Sequence, residues 1–277
     1  MSVGGIVVCA LSLGLLAVLG APAAAQSGGT LLAAHRGGAL VWPENSLPAF
    51  RNAIALGVDF LEFDVHLSKD VEAVVIHDPV LERTTTGTGA VRERTLAELR
   101  AWRLKEKDGT VSEEPVPTLD EVAGLAAPTP LRFLLEIKVD AQGARYPGIE
   151  EKVLAILDRH GMASRVIVMA FQEETVHRVR TLRPEVMVGG LYSTRTLEKM
   201  RSTVKWEIEA LRKLGARFVG LHQELVTAGV VEHAAKAGLL LGVWTVNTAE
   251  AMKRFIELGV GVLITDRPDL AKELLHR

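Results

Sequence analysis

The residues best suited to chemistry are three carboxylates in apolar, strand-like surroundings. Glu62 and Asp64 lie two positions apart within Phe60–Leu67, so in an extended strand their side chains point to the same face. Glu136 lies in a second such segment, Leu131–Lys138. Buried carboxylates are costly unless a cation neutralises them. The pattern therefore predicts either a metal site or buried ion pairs with Lys or Arg.

The type of ligand favours a hard divalent cation. Carboxylate oxygens suit Ca²⁺ or Mg²⁺ when coordination positions remain for water and a substrate oxygen. Zinc is disfavoured because neither a cysteine nor a cluster of histidines accompanies the three carboxylates. Lys138 shares a strand face with Glu136, where it could neutralise a bound phosphate or form a purely structural ion pair.

Two histidines end strand-like segments and could join these carboxylates. His35 ends the first segment, and His77 ends a later one that only five residues separate from Phe60–Leu67. Five residues are too few for a parallel crossover, so those two segments are predicted to form an antiparallel hairpin. A turn centred on Lys69-Asp70 would place His77 across from Glu62. Imidazole titrates near neutral pH and can act as general acid and base, although a histidine at a strand end is also often structural.

Three further side chains could contact a substrate. Arg36 has the planar fork of donors that suits an oxyanion. Glu44 precedes a predicted helix cap at Asn45 or Ser46, so it has a structural interpretation beside a role in the site. Trp244 ends another strand-like segment, where it either packs in the core or forms the wall of a substrate pocket.

Strand-like and helical segments alternate along the chain, which favours βαβ units and a parallel sheet. Without the return arm of the hairpin, eight parallel strands remain, the number of a TIM (β/α)8 barrel. A doubly wound open sheet is the alternative, but the sequence has no glycine-rich phosphate loop. The predicted strands are Leu31–His35, Phe60–Leu67, Ala73–His77, Leu131–Lys138, Val166–Phe171, Val186–Tyr192, Phe218–Leu221, Leu239–Val246 and Val260–Thr265. The predicted helices include Ser46–Leu56, Gly148–His160, Thr175–Leu182, Thr196–Leu214, Val230–Ala237, Ala249–Leu258 and Asp269–Leu275.

The segments outside this alternation are a leader and an insertion. Residues 1–25 carry no charged side chain and end in Ala23-Ala24-Ala25, which predicts a cleaved signal peptide and export to the periplasm or the medium. If the segment were retained, it would be long enough to anchor the chain in a membrane. The remaining domain is residues 26–277. Within it, the long segment Pro79–Pro117 predicts a small insertion at the mouth of the barrel.

Composition excludes several classes of protein. The chain has 32 Lys and Arg against 34 Asp and Glu, a formal charge of −2, so nothing indicates a nucleic-acid partner. Its single cysteine, Cys9, lies in the predicted leader and rules out a disulfide framework. Hydrophobic residues make up 48% of the chain, which argues against a disordered protein.

Eight short motifs resemble, in their order along the chain, those of the glycerophosphodiester phosphodiesterase family. Each motif alone is weak evidence, but the ordered set spans nearly the whole chain after the leader and is highly specific. The motifs are His35-Arg36-Gly37, Pro43-Glu44-Asn45-Ser46, Leu61-Glu62-Phe63-Asp64-Val65, Val75-Ile76-His77-Asp78, Arg83-Thr84-Thr85 with Gly87 and Gly89, Leu135-Glu136-Ile137-Lys138, Trp244-Thr245-Val246-Asn247 and Thr265-Asp266-Arg267-Pro268.

The resemblance implies a TIM barrel that uses one divalent cation, Ca²⁺ or Mg²⁺, to hydrolyse small-molecule glycerophosphodiesters. The products would be sn-glycerol 3-phosphate and an alcohol, formed through a cyclic phosphate after attack by the glycerol 2-hydroxyl. By position, the resemblance implies that the cation is held by Glu62, Asp64 and Glu136, that the acid and base are His35 and His77, and that the phosphate is bound by Arg36 and Lys138. It further implies that the cation or the glycerol hydroxyls lie near Glu44, and that the glycerol backbone contacts Trp244.

Two other functions stay open at this point. A related barrel phosphodiesterase could act on lysophospholipids or intact lipids in the manner of phospholipases C or D, and an apolar rim on the insertion would favour it. The charged run Lys105–Asp108 favours a solvated rim instead. A secreted binding barrel without catalysis would have lost a histidine or a carboxylate of the site, and all are present.

Overall fold

Eight parallel strands close into a barrel in the computed structural model, which describes Met1 and residues 29–276. The predicted leader thus lies outside the described residues, apart from Met1. The strands of residues 29–276 are β1 Leu31–His35, β2 Phe60–Leu67, β3 Ala73–Val75, β4 Arg132–Ile137, β5 Val166–Ala170, β6 Met187–Tyr192, β7 Phe218–His222, β8 Leu240–Trp244 and β9 Val262–Thr265. The α-helices are α1 Leu47–Leu56, α2 Leu96–Ala101, α3 Leu119–Ala126, α4 Ile149–Arg159, α5 Glu173–Leu182, α6 Thr194–Met200, α7 Val204–Leu214, α8 Ala228–Lys236, α9 Ala249–Glu257 and α10 Pro268–Leu274.

The pairing of the strands confirms the TIM barrel. Neighbours follow the order β1-β9-β8-β7-β6-β5-β4-β2, and a parallel pairing of β1 with β2 closes the ring. The short β3 pairs with β2 and runs antiparallel to it, as the predicted hairpin requires. Since the carboxyl ends of all eight parallel strands meet at one end of the barrel, side chains at those ends can form one site.

Alternating side chains of each strand serve two separate cores. In β2, Leu61 and Phe63 pack under the helices, whereas Phe60 points into the barrel. The interior is filled by Phe218 at the start of β7, and a Cβ atom on Gly242 would lie only 2.6 Å from the Phe218 ring. The barrel interior is therefore a packed core below its mouth.

The hairpin differs from the prediction by one residue of register. The structure pairs Val65 with Val75, which centres the turn on Asp70 and not between Lys69 and Asp70. The turn is longer because Val71 adopts a left-handed conformation at φ 60° and donates its N–H to the carbonyl of Ser68. The prediction that His77 lies directly across the ladder from Glu62 is thus wrong.

Two helix predictions also need correction. The predicted helix Thr196–Leu214 is two helices, because Arg201 turns left-handed at φ 53° and the Thr203 side chain caps α7. Helix α3 was not predicted, although its start carries a capping box in which Thr118 and Glu121 satisfy each other's backbone N–H groups.

The segment Pro79–Pro117 packs around a small core of its own beside β3. It contains α2, one 3₁₀ turn at Val91–Glu93 and isolated β-bridges that join its loops. The buried residues of this cluster are Val74, Ile76, Leu81, Val91, Leu99, Leu104 and Val116. Within residues 29–276, no helix is long and apolar enough to cross a membrane.

Candidate active site

The three predicted cation ligands meet at the carboxyl ends of β2 and β4. The register aligns Asp64 with Glu136 across the parallel pair, and it aligns His35 with Glu62 on the other side of β2. One oxygen from each of the three carboxylates lies within 4.8 Å of the others. All three residues are buried, between 1% and 7% exposed, so their charges require neighbours that compensate them.

Two basic side chains supply part of that compensation. Lys138 Nζ lies 2.8 Å from Glu136 Oε1 and 3.4 Å from Asp64 Oδ1, and Arg36 Nε lies 3.6 Å from Asp64 Oδ2. Burial alone would raise the pKa of Asp64, but the charges of Lys138, His77 and Arg36 outweigh it and hold that pKa below its usual range.

The negative charge that these basic groups leave uncompensated is centred on Glu62 and fits a bound cation. Burial, together with the charge of Asp64, raises the pKa of Glu62 to about 8. Asp64 Oδ1 is buried and accepts no hydrogen bond in the described part of the chain. A carboxyl group that resists ionisation, beside a buried carboxylate oxygen with no hydrogen bond, fits a cation held between them, and the all-oxygen donor set suits Ca²⁺ or Mg²⁺.

A carboxylate and an amide hold His35 in place. His35 Nδ1 donates to Asp266 Oδ1 at 2.6 Å, and Asn247 Nδ2 donates to Asp266 Oδ2 at 2.7 Å. Burial would raise the pKa of Asp266, but the hydrogen bond from His35 outweighs it and lowers that pKa. With Nδ1 occupied, His35 Nε2 faces the cavity and lies 3.8 Å from Glu62.

Loss of strand structure brings His77 to the same cavity. Strand β3 ends at Val75, and the chain then bends at His77, so this residue does not follow the alternation that an extended strand would impose. Its Nδ1 donates to Asp78 Oδ1 at 2.6 Å. The buried ring of His66 donates from Nε2 to the His77 carbonyl at 3.0 Å and thus supports the bend from below, outside the site itself.

Arg83 joins the His77 segment to the loop after β1. Its guanidinium donates to both Asp78 oxygens, at 2.6 and 2.9 Å, and to both Glu44 oxygens, at 2.8 and 2.9 Å. Arg36 Nη1 also donates to Glu44 Oε1 at 3.1 Å. The structure therefore places Glu44 between two guanidinium groups at the mouth, while the helix cap is formed by Ser46, which accepts from Ala49 N.

The backbone at Arg36 is shaped by the site. Arg36 is left-handed at φ 52°, and its N–H donates to Glu62 Oε2 at 2.9 Å. The following Gly37, at φ 83°, passes so close to α1 that a Cβ atom would lie 2.9 Å from Ala49 Cβ. A glycine is required there because any other residue would combine a strained backbone with a steric clash.

A cavity of about 120 Å³ connects these side chains to an apolar wall. Trp244 is half-buried and forms part of this wall while its ring packs edge-on against Phe171, with centroids 5.7 Å apart, and against His222 at 5.2 Å. Trp244 therefore packs against the core and also lines the cavity. The remaining residues of the cavity are His35, Arg36, Glu62, His77, Glu136, Met169, Leu191, Thr245 and Ile264.

Sequence reasoning did not identify the residues that hold the two histidines. Asp78 and Asp266 bind them directly, and Arg83 and Asn247 bind those two carboxylates. All four lie within the motifs quoted above, but none received a role. The available signal was position, since Asp266 directly follows the last barrel strand.

Comparisons with known proteins point to one family. A family model described as the glycerophosphoryl diester phosphodiesterase family matches residues 35–270. A glycerophosphodiester phosphodiesterase of Caldanaerobacter subterraneus is 35% identical over 90% of the chain and 98% of the relative, and one of Bacillus subtilis is 32% identical over 94% of each. A crystal structure of a putative glycerophosphoryl diester phosphodiesterase from Agrobacterium tumefaciens has a TM-score of 0.81 and 30% identity over 89% of this chain and 97% of that one.

Proposed function

The chain belongs to the glycerophosphoryl diester phosphodiesterase family, and we propose that it hydrolyses glycerophosphodiesters to sn-glycerol 3-phosphate and an alcohol. Family membership confirms the resemblance drawn from the motifs. The observation that carries the proposal is a cluster of three buried carboxylates, two of which line one cavity together with two histidines, each histidine anchored by its own aspartate.

Each group of the cavity has a role in this reaction. A divalent cation held by Glu62, Asp64 and Glu136 would supply positive charge against the phosphoryl oxygens. Arg36 and Lys138 border the same carboxylates and provide fixed positive charge for the phosphodiester. The guanidinium group of Arg36 and the ammonium group of Lys138 therefore bind the substrate in the orientation in which its phosphorus faces the histidines.

The two imidazoles move the protons. The 2-hydroxyl of the glycerol attacks the phosphorus and transfers its proton to one imidazole, while the other imidazole protonates the oxygen of the departing alcohol. Water then opens the cyclic phosphate with the two roles exchanged. Since Nδ1 of both His35 and His77 is held by a carboxylate, Nε2 is the atom that exchanges protons in each case. Internal attack also gains from proximity.

Two further residues position the substrate. Trp244 lies at the apolar wall of the cavity and would contact the glycerol backbone. Glu44 is oriented by Arg36 and Arg83 at the mouth, where it would accept hydrogen bonds from hydroxyl groups of the substrate. Because burial is outweighed by the hydrogen bonds from Arg83, the pKa of Glu44 is lowered and its carboxylate stays ionised as an acceptor.

Export of the enzyme is part of the proposal. The uncharged apolar residues 1–25 and the run Ala23-Ala24-Ala25 support a signal peptide that is removed after residue 25. Mass spectrometry of the protein recovered from the periplasm or medium would show a chain beginning at Gln26. A full-length chain in the membrane fraction would show an anchor instead.

The reaction is tested by following release of sn-glycerol 3-phosphate from glycerophosphocholine with Ca²⁺, with Mg²⁺ and with EDTA. We expect release with at least one cation and none in EDTA, and the faster cation identifies the better cofactor. Lysophosphatidylcholine serves as the lipid comparison. Turnover of the lysolipid alone would support the phospholipase-like alternative, and no turnover of either substrate by folded protein would refute the proposed function.

A further inference from the structure

A second, larger cavity opens beside the catalytic one. Its volume is about 390 Å³, against about 120 Å³ for the cavity beside Glu62, Asp64 and Glu136, the acidic triad. The two share His35, Arg36 and Thr245, so they meet at the groups that face the phosphodiester. A cavity of this size lies in the range of small-molecule sites, roughly 300–1,000 Å³.

Chemistry decides which half of the substrate lies in which cavity. A cation held by Glu62, Asp64 and Glu136 would favour an oxygen that gives up its proton, so we place the attacking glycerol hydroxyl beside this acidic triad. Glu62 and Glu136 line the smaller cavity but not the larger one. The glycerol therefore occupies the smaller cavity, and the alcohol on the other side of the phosphorus extends into the larger one. This assignment rests on the proposed function.

The inner charges of the larger cavity are already paired. Glu44 is bound by Arg36 and Arg83, and Asp266 is bound by His35. None of these carboxylates has a free charge to attract a cationic head group. The selectivity of the cavity is thus left to its outer part, which belongs to the insertion.

The outer part presents two lysines and one glutamate. Lys105, Glu106 and Lys107 all line the cavity. Lys105 Nζ donates to the carbonyl of Glu82 at 2.5 Å, and within residues 29–276 neither lysine forms a salt bridge with a carboxylate. Among the residues that line this outer part, two ammonium groups stand against one carboxylate, so the lining itself is net positive where the alcohol would end.

The insertion holds these lysines in a defined position. Lys105 is bridged to Val111, and its backbone N–H donates to the carbonyl of Thr84 at 2.8 Å, directly beside Arg83. The turn between the bridged residues Lys105 and Val111 is closed by a hydrogen bond from Gly109 N to the carbonyl of Glu106. The backbone at Lys105 is therefore held beside Arg83, which binds both Asp78 and Glu44.

We propose that the larger cavity is the subsite for the alcohol and that Lys105 and Lys107 select alcohols that carry an anionic group, a phosphate or a carboxylate, over choline. Ammonium groups at a partly exposed rim favour an anion by a modest, salt-sensitive amount. We expect a preference of about fivefold to tenfold in kcat/KM at low ionic strength.

A matched substrate pair tests the proposal. Glycerophosphoinositol 4-phosphate differs from glycerophosphoinositol only by the added phosphate, and glycerophosphocholine supplies the cationic head group. The ratio of kcat/KM for the phosphorylated over the unphosphorylated substrate is measured from release of sn-glycerol 3-phosphate. We expect this ratio to be about five to ten, to fall towards one at high salt, and glycerophosphocholine to be the poorest of the three.

Variants locate the preference. In Lys105→Met/Lys107→Met the ratio should fall to about one, and the single Lys107→Met, which keeps the Lys105 bond to the insertion, should lower it about twofold. The control Lys213→Met/Lys253→Met removes two exposed lysines from the outer helices α7 and α9 and should keep the wild-type ratio. A wild-type ratio near one, or an unchanged ratio in the double variant, overturns the inference. Failure to hydrolyse any of the three substrates would refute the proposed function itself.

Discussion

The aspartate that anchors His35 offers the sharpest test of how this site works. In wild type, the hydrogen bond from Nδ1 to Asp266 Oδ1 leaves Nε2 free to exchange a proton. The change Asp266→Asn keeps the shape of the side chain and removes its charge. Its consequence depends on which way the new amide turns, and the neighbouring hydrogen bonds decide that.

Asn247 fixes the orientation of an asparagine at position 266. Its Oδ1 accepts from the backbone N of Asp266 at 2.9 Å and from Thr265 Oγ1 at 3.2 Å, so its NH₂ group must face the side chain of residue 266. The new amide must then present its oxygen to Asn247 and its own NH₂ to His35. His35 Nδ1 becomes an acceptor, and the proton moves to Nε2.

The magnitude follows from this tautomer change. A charge-assisted hydrogen bond is worth about 1.5–3 kcal/mol, or roughly 10- to 150-fold in rate. In a serine protease the equivalent change lowers kcat by about 10⁴ because the histidine takes the wrong tautomer. Since the Asp266 side chain is 16% exposed, we expect a fall in kcat of about 10²–10⁴, with KM changed by less than about threefold.

The assay combines kinetics with a view of the ring. Release of sn-glycerol 3-phosphate gives kcat and KM, and ¹⁵N NMR of His35 shows which ring nitrogen carries the proton. The matched control is Asp269→Asn, which removes the same charge three residues later from an exposed pair with Arg267 and should keep kcat within about twofold. A kcat within fivefold of wild type in Asp266→Asn, or an unchanged tautomer, would refute the positioning role.

Three further predictions concern Arg83, which joins Asp78 to Glu44, and the acidic triad. Arg83→Met removes four hydrogen bonds to Glu44 and Asp78 and should lower kcat about tenfold. Unchanged steady-state kinetics would show that Arg83 does not position His77. Glu62→Gln should weaken binding of Ca²⁺ or Mg²⁺ in calorimetry by at least about tenfold, and equal affinity would remove Glu62 from the cation site. In EDTA, the pKa of Glu62 near 8 means that the folded state holds a proton that the unfolded state releases above pH 4.5. Stability of wild type relative to Glu62→Gln should therefore fall between pH 5 and pH 8, by on the order of 1 kcal/mol per pH unit in urea unfolding, and a rise would contradict the assigned burial.

The barrel was predictable because its signals are local. Alternation along Phe60–Leu67 separates the outward Leu61 and Phe63 from the inward Glu62 and Asp64, and the structure follows that division. Strand-like segments separated by helices then determine a parallel barrel with few alternatives. The same alternation brought Glu136 to the correct face of β4.

The errors arose where the backbone leaves regular structure. A left-handed Val71 lengthened the hairpin turn by one residue, and a left-handed Arg201 divided a helix that apolar periodicity had joined. Neither conformation is favoured by the residue type, so propensity could not reveal it. His77 reaches the cavity only because β3 ends before it, which an argument from strand register cannot anticipate.

The supporting residues of the site were hidden for a different reason. Asp266 approaches His35 from the opposite end of the chain, 231 residues away, and only closure of β1 against β9 brings them together. Asp78 is adjacent to His77 in sequence, but its charge is held by Arg83, whose fork depends on the fold of the insertion. Contacts of this kind follow from tertiary structure and not from local pattern.

The central claim is that His35 and His77 carry the proton transfers beside a separate cation site. The most direct measurement is kcat of His35→Ala and His77→Ala at saturating cation, with cation affinity determined on the same samples. We expect each kcat to fall by about 10²–10⁴ while the affinity stays within about threefold of wild type. Near-normal turnover in either variant would contradict the assignment of that histidine.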